Sequence, residues 1–556
     1  MRLTASALLL LIAVACYECT AMAATASFTA LDAYVRKPDS VYGWASLHPT
    51  YNSTPAYDVH FFNVTSQAWL TPADSSRPVW HHTLVFVMPT DRDPNCTDAF
   101  IWLTWGKNGK KWKPDAQDDL DMMVVTEMAV KTRCPAVALY DIPNQRTCFP
   151  LNNSNSRAGE LSSEPTTDDL ARADIARRRH GRDDGVVRLE EVGAATEPEY
   201  CGEEDSIIAF TFHRYLYENR SADWLLLFPM TKAAIRGMDA AEDISQKVFN
   251  HTITRWTVSG ASKRGWTTWL TGAVDYRRRR LPNGTVVPRV RAIVPLVLDA
   301  IKFDGFLHRM WQSYEGAFTF FLQPYWHFGL TRAVDSDRFT QWQREIDPYL
   351  YRDRLTMPKL SVNAVGDEFQ MLDDQRHWAA EMAGEMKTVL IRNADHLLVT
   401  NFALVLQSVT AFYQSVVFEA PRPSYSWSID ATTGQIFVNT SVPPKSVELI
   451  YTGIPAGRRD FRDIVKTAVP CVIHPMGGCL RFLWWFTTSA VMLSHTSFST
   501  NVTAPTSGYV GFYLQLTFAS GRPDVEDYVF ASPASVLPLG FPFPDCHGSA
   551  CNGTLC

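Results

Sequence analysis

The chain has 556 residues, 46% of them hydrophobic, with 52 Lys and Arg against 58 Asp and Glu for a net charge of −6. So small a charge, with only local basic runs, excludes a nucleic-acid-binding surface. The length exceeds what one core usually fills and favours two domains.

Residues 1–23 carry Arg2, an apolar stretch over 8–15 and the small-residue pattern Ala21-Met22-Ala23. This reads as a secretory signal peptide, too short to span a bilayer comfortably. The most apolar later segment, 482–493, is interrupted by Thr487, Thr488 and Ser489, so no stable membrane insertion is expected. Of the 11 cysteines, Cys16 and Cys19 leave with the signal. In an exported protein the rest form disulfides by default, and their odd number predicts one free or intermolecular thiol. Ten N-x-S/T sequons, at Asn52, Asn63, Asn95, Asn152, Asn219, Asn250, Asn283, Asn439, Asn501 and Asn552, fit a secreted extracellular glycoprotein.

From residue 24 to 420, short apolar runs alternate with helical patterns. Segments 83–88, 100–105, 136–141, 254–258, 290–298, 359–365 and 388–392 are mostly continuous apolar runs, as expected of strands buried on both faces. Segments 207–217, 228–248, 263–274, 374–386 and 399–417 read as helices. Such alternation predicts an α/β domain, a parallel sheet covered by helices on both faces. The charged, Ser-rich and Arg-rich segment 154–204 reads as a solvated insertion, and the arginines at 277–280 as a solvated loop before Pro282-Asn283-Gly284. Beyond 420, shorter alternating strands at 425–430, 435–440, 446–452, 482–488 and 508–518 predict a small C-terminal β-sandwich over 421–556, with Cys546, Cys551 and Cys556 stapling an irregular tail.

The segment 253–269 carries the strongest chemical signal. A β-rich run ends in Ser259-Gly260-Ala261-Ser262 and turns straight into a helix pattern. A nucleophilic serine on such an elbow needs small neighbours, so that strand and helix approach closely. Gly260 and Ala261 supply them, although Arg264 stands where G-x-S-x-G has its second glycine and Gly265 follows one place later. The plainer reading makes Ser262 a helix N-cap. Further along, one predicted strand runs into Gly366-Asp367-Glu368 and the next ends in Asn393-Ala394-Asp395-His396. A serine hydroxyl is a weak nucleophile that needs a base, and the base needs an acid to orient it. Ser262, Asp367 and His396 follow the α/β-hydrolase order of serine, acid, histidine at three strand ends. Glu368, Asp373 and Asp374 remain alternatives for the acid. An oxyanion needs two backbone donors: Lys263 supplies one by position, and the 105–109 loop, through Gly106, supplies the second unless it is a simple glycine turn. Lys263 and Arg264 either pair with carboxylates or bind an acidic group of the substrate. This chemistry requires no metal or organic cofactor.

The chain resembles the PhoPQ-activated pathogenicity-related protein family. The resemblance rests on Leu31-Asp32-Ala33-Tyr34-Val35, Arg77-Pro78-Val79-Trp80-His81-His82, Pro143-Asn144-Gln145, Glu204-Asp205-Ser206, Gly260-Ala261-Ser262-Lys263-Arg264-Gly265-Trp266, Gly366-Asp367-Glu368-Phe369, Asn393-Ala394-Asp395-His396 and Arg459-Asp460-Phe461-Arg462. It implies an α/β-hydrolase fold and leaves the substrate open. The chain departs from the family pattern in the insertion before Glu204 and in Met371-Leu372, where a proline is expected near the acid turn. The function expected is a secreted serine hydrolase acting on a small-molecule ester or peptide. Because the family includes a repressor of proliferation, the alternative is a secreted signalling protein that binds a cell-surface receptor, with catalysis dispensable.

Overall fold

In each central strand, alternate apolar residues face opposite cores. Leu84, Phe86, Ile101 and Leu103 enter one core, and Val85, Val87, Phe100 and Trp102 the other. That two-sided burial is the reason these runs are continuously apolar. The computed structural model describes residues 28–47, 54–108, 119–151, 199–280, 284–430, 433–468, 470–474, 477–481 and 483–556. The expected signal, the insertion up to residue 198, Gly109, and the sequons at Asn52, Asn152 and Asn283 lie outside them.

Eight strands form the frame: β1 (Tyr57–Ala68), β2 (Val79–Pro89), β3 (Asp98–Leu103), β4 (Ala136–Leu139), β5 (Arg255–Ala261), β6 (Val290–Leu296), β7 (Lys359–Ala364) and β8 (Met386–Ile391). Their spatial order is β1-β2-β4-β3-β5-β6-β7-β8. β2 runs antiparallel to β1 and β4, whereas β3 to β8 are parallel where they pair. This is the α/β-hydrolase fold. The main helices are α1 (Leu120–Thr132), α2 (Asp205–Tyr217), α3 (Leu227–Phe249), α4 (Lys263–Val274), α5 (Phe303–Ser313) and α6 (Phe402–Val417). α1 and α6 cover one face, and α3 and α4 the other. Between β6 and β7, α5, the helix Asp337–Ile346 and several short helical turns ending at Arg354 form a cap that the strand pattern did not predict.

The C-terminal β region is fused to this frame. β8 pairs antiparallel with Tyr528–Ala531 through Thr388 and Ala531, and the sheet continues through Tyr509–Phe518, Ser446–Ile454 and Phe486–Ser489; with Gly43–Ser46 beside β1 and Ser535–Leu537 beside Tyr509–Phe518 it has 14 strands among the described residues. A separate four-stranded sheet, Tyr425–Ile429, Gln435–Thr440, Ser497–Asn501 and Val491–Ser494, lies over it. Ile436, Val438 and Phe498 of that sheet share one core with Val447, Leu514, Val362 and Val389.

Three local expectations are corrected. Segment 374–386 is not a helix but two 3-10 turns, Asp374–His377 and Ala379–Glu381. Tertiary bonds override its helical pattern: Arg459 grips Asp373, Arg309 holds Asp374, and Gln375 and Trp378 reach inward to Asp299. The arginine run is not a loop, since Arg278–Arg280 pairs with Val286–Pro288 as a hairpin, and Arg277 and Arg279 ion-pair with Asp239 and Glu242 of α3. The tail is ordered in part by Thr554–Leu555, which pairs with Ala317–Phe318. Disulfides join Cys96 to Cys134, Cys148 to Cys201, Cys471 to Cys479 and Cys546 to Cys551, leaving Cys556 free and buried. Among the described residues, no helix is long and apolar enough to cross a membrane.

Candidate active site

β5, β7 and β8 point the same way, so the residues that follow them emerge at one edge of the sheet, where open α/β sheets gather their ligands. Ser262 follows β5. Its backbone is left-handed, with φ 58° and ψ −125°, and its side chain makes no capping hydrogen bond although it stands at the N-cap of α4. A non-glycine residue in this region is strained and persists only where its surroundings over-determine it. Those surroundings are visible: the Ser262 N–H donates to Leu296 O at 2.9 Å, and Trp266 N–H to Ser262 O at 3.0 Å. A Cβ on Gly260 would lie 2.8 Å from Arg264 Cβ, and one on Gly265 2.7 Å from Leu296 O. The displaced second glycine therefore still serves close packing, here of α4 against the end of β6.

The two cations after Ser262 are tied to carboxylates. Arg264 clamps Glu204 with bonds of 2.7 and 2.6 Å, and Lys263 Nζ lies 3.0 Å from both Glu204 and Asp205. Burial would raise the Glu204 carboxyl, but Arg264 and Lys263 together hold it well below the usual carboxylate range. Glu204 and Asp205 belong to the motifs that carry the family resemblance, yet nothing in the spacing of the chain marks them as partners of residues nearly 60 positions away.

On the other side, His396 Nδ1 lies 2.8 Å from Asp367 Oδ2. Asp367 also accepts from Phe369 N–H at 2.8 Å and Gln370 Nε2 at 3.1 Å. Glu368 instead accepts the backbone N–H of His396 at 3.0 Å. Asp373 and Asp374 are taken by Arg459 and Arg309, which leaves Asp367 as the carboxylate on the ring. Burial pulls the His396 imidazolium down, but the charge and hydrogen bond of Asp367 outweigh it, and the net shift is upward. Burial, then repulsion by Asp367, raises the Glu368 carboxyl. His396 Nε2 is buried and has no hydrogen-bond partner among the described residues. It lines a cavity together with Ser262, Lys263 and Gln370.

Lys263 is the first residue of α4, so its N–H has no intrahelical acceptor and is available beside the serine. Gly106 leaves β3, the strand next to β5, but lines a second cavity with Asp141 and Leu397. A Cβ there would lie 2.3 Å from Asp141 Oδ1, and its carbonyl accepts from Gln145 Nε2 at 2.8 Å. Two residues of the site escaped sequence reasoning. Gln370 accepts from the Asp299 and Ala300 backbone while donating to Asp367, locking the acid turn to the end of β6. Asp299, past the end of β6, is pushed up to about 8 by burial and by Asp374; a carboxylate after a strand end was the available signal. Two groups of described side chains have metal-ligand spacing, His308 with Cys546 and Cys551, and Glu199 with Cys148 and Cys201. In both, the cysteines are disulfide-bonded and are not thiolate ligands.

The chain is similar to autocrine proliferation repressor protein A of Dictyostelium discoideum, 27% identical over 535 residues that cover 93% of this chain and 92% of that protein. Among solved structures it is similar to acetyl xylan esterase 1 from Thermoanaerobacterium sp. JW/SL YS485, at 14% identity and a TM-score of 0.38 over 69% of this chain and 93% of that one. It is also similar to an S-formylglutathione hydrolase from Agrobacterium tumefaciens, at 10% identity and a TM-score of 0.35 over 67% of this chain and 99% of that one. A family model described as PhoPQ-activated pathogenicity-related protein matches residues 31–161 and 196–462, a span that holds Ser262, Asp367 and His396, and the chain belongs to that family.

Proposed function

We propose that this chain is an exported serine hydrolase that cleaves an ester or peptide bond through an acyl-enzyme on Ser262. One observation carries the reading: an imidazole anchored at Nδ1 by Asp367 leaves a buried, unpartnered Nε2 in the cavity of a strained serine whose hydroxyl caps nothing. His396 takes the proton of Ser262 as its Oγ attacks the substrate carbonyl carbon. Asp367 orients the ring and stabilises the imidazolium. The Lys263 N–H receives the oxyanion. His396 then protonates the leaving group, and water, deprotonated by the same nitrogen, releases the acid.

Export is supported by the signal-like sequence at 1–23 and by four disulfides. Of the described sequon asparagines, Asn95, Asn219, Asn250, Asn439, Asn501 and Asn552 are exposed, and Asn63 is partly buried. A fluorophosphonate probe is expected to label the wild-type protein and not Ser262→Ala. Full labelling of the variant would overturn the nucleophile.

A second reading is favoured by the name of the Dictyostelium relative: a secreted signal acting on a cell-surface receptor, with hydrolysis dispensable. Folded Ser262→Ala protein separates the two. An unchanged effect on cell proliferation favours signalling, and a lost effect favours enzyme action.

A further inference from the structure

The cavity beside Ser262 and His396 is lined mostly by apolar side chains. Its apolar wall comes from α2 and the cap, through Phe212, Phe303, Phe306, Leu307, Leu322 and Leu330. This wall is braced by ring contacts. Trp266 stacks on Phe303 with ring centroids 4.7 Å apart, and Phe212 and Phe303 each meet the fully buried Trp342 edge-on. Interlocked rings of this kind do not yield cheaply to an oversized guest.

Two charged residues, Asp205 and Lys263, also line the cavity. Both are engaged: Lys263 by Glu204 and Asp205, and Asp205 further by Tyr325 OH at 2.8 Å. With Arg264 on Glu204, two carboxylates face two cations. A charged acyl group would lose its hydration and find no unpaired countercharge among the described residues. The cavity volume is about 70 Å³. That is about half of the roughly 150 Å³ in which an engineered protein cavity holds benzene, which leaves room for about three or four carbons.

We propose that the acyl side of this site takes short, uncharged acyl groups of about two to four carbons and rejects longer or charged ones. The proposal rests on the serine-hydrolase reading and deepens it.

The test is kcat/KM of the purified full chain on the p-nitrophenyl esters of acetate, propionate, butyrate, hexanoate, octanoate and monosuccinate. Each methylene that fits is expected to raise kcat/KM about fourfold. The series should peak at propionate or butyrate and fall at least about tenfold by octanoate, with the succinyl ester at least about tenfold below the butyryl one. A peak at hexanoate or longer, a flat series, or a succinyl ester within about threefold of butyryl overturns the proposal. Phe306→Ala or, should it not fold, Leu322→Ala is expected to move the peak to longer chains, and an unmoved peak in a folded variant overturns the assignment of this cavity. Fluorophosphonate labelling separates the two levels. Loss of Ser262-dependent labelling and turnover defeats the hydrolase reading and this proposal with it. Labelling with the wrong chain preference, or with no ester turned over, defeats this proposal alone.

Discussion

Ser262 and His396 meet at one cavity, but the elbow that carries the serine and the arm that carries the histidine are held by different forces. The elbow depends on backbone and charge: glycines that let α4 press against β6, and a cluster of two carboxylates and two cations that ties α4 to the start of α2. The arm depends on directed hydrogen bonds, with Asp367 on the ring, Glu368 on the histidine backbone and Gln370 bridging to the end of β6. Substitutions in the supports of the elbow, Ser262 itself apart, should therefore cost stability first, and those in the arm should cost chemistry first.

The largest effect is expected in the arm. Asp367→Asn should lower kcat by about 10³- to 10⁴-fold while leaving the denaturation midpoint nearly unchanged, by analogy with the aspartate of serine-protease triads. The acid limb of kcat/KM carries the sign. The base must be neutral, and Asp367 raises the His396 imidazolium, so wild-type activity should fall on acidification with a midpoint above the ordinary value of about 6.5. Residual activity of the variant should have its limb at lower pH. A kcat within about tenfold of wild type would remove Asp367 from the role.

Glu204→Gln sharpens the other half of the comparison. It leaves Lys263 and Arg264 short of countercharge, and because Glu204 is itself part-exposed, the expected loss is about 2–3 kcal/mol, less than for a fully buried pair. The Glu204 carboxyl is depressed in the folded protein, so its contribution is present above the unfolded glutamate value of about 4.3 and is lost as the pH falls further. Urea unfolding at neutral pH and near pH ~3 should show a smaller difference from wild type in acid than at neutrality, because the folded-state carboxyl is still ionised there. A deficit as large in acid as at neutrality would assign the loss to packing.

Glu368→Gln should be the mildest, changing kcat by less than about threefold, because the amide oxygen still accepts the His396 N–H. A fall as deep as that of Asp367→Asn would make Glu368 an equal partner of the ring.

The strands that end in Ser262, Asp367 and His396 were legible because burial on both faces leaves an uninterrupted apolar run, which composition alone reveals. The elbow was legible because close approach admits only small residues before the serine. The helix expected at 374–386 failed because its pattern was written by ion pairs to Arg309 and Arg459 and by buried contacts to Asp299, none of them local. The strand Tyr528–Ala531 was legible neither as an element nor as a neighbour of β8, since no periodicity records which strand a free edge will meet.

The sequence by itself determined that Ser262, Asp367 and His396 follow strand ends in that chain order, and that one thiol is left over, because each depends on residue type and near-neighbour spacing. Tertiary structure decided which of four carboxylates faces the imidazole, that Glu204 and Asp205 neutralise Lys263 and Arg264, and that the cap brings Phe303, Phe306 and Leu322 over the serine. Those outcomes depend on distances between residues far apart in the chain, which only the packing of the sheet and its cap defines.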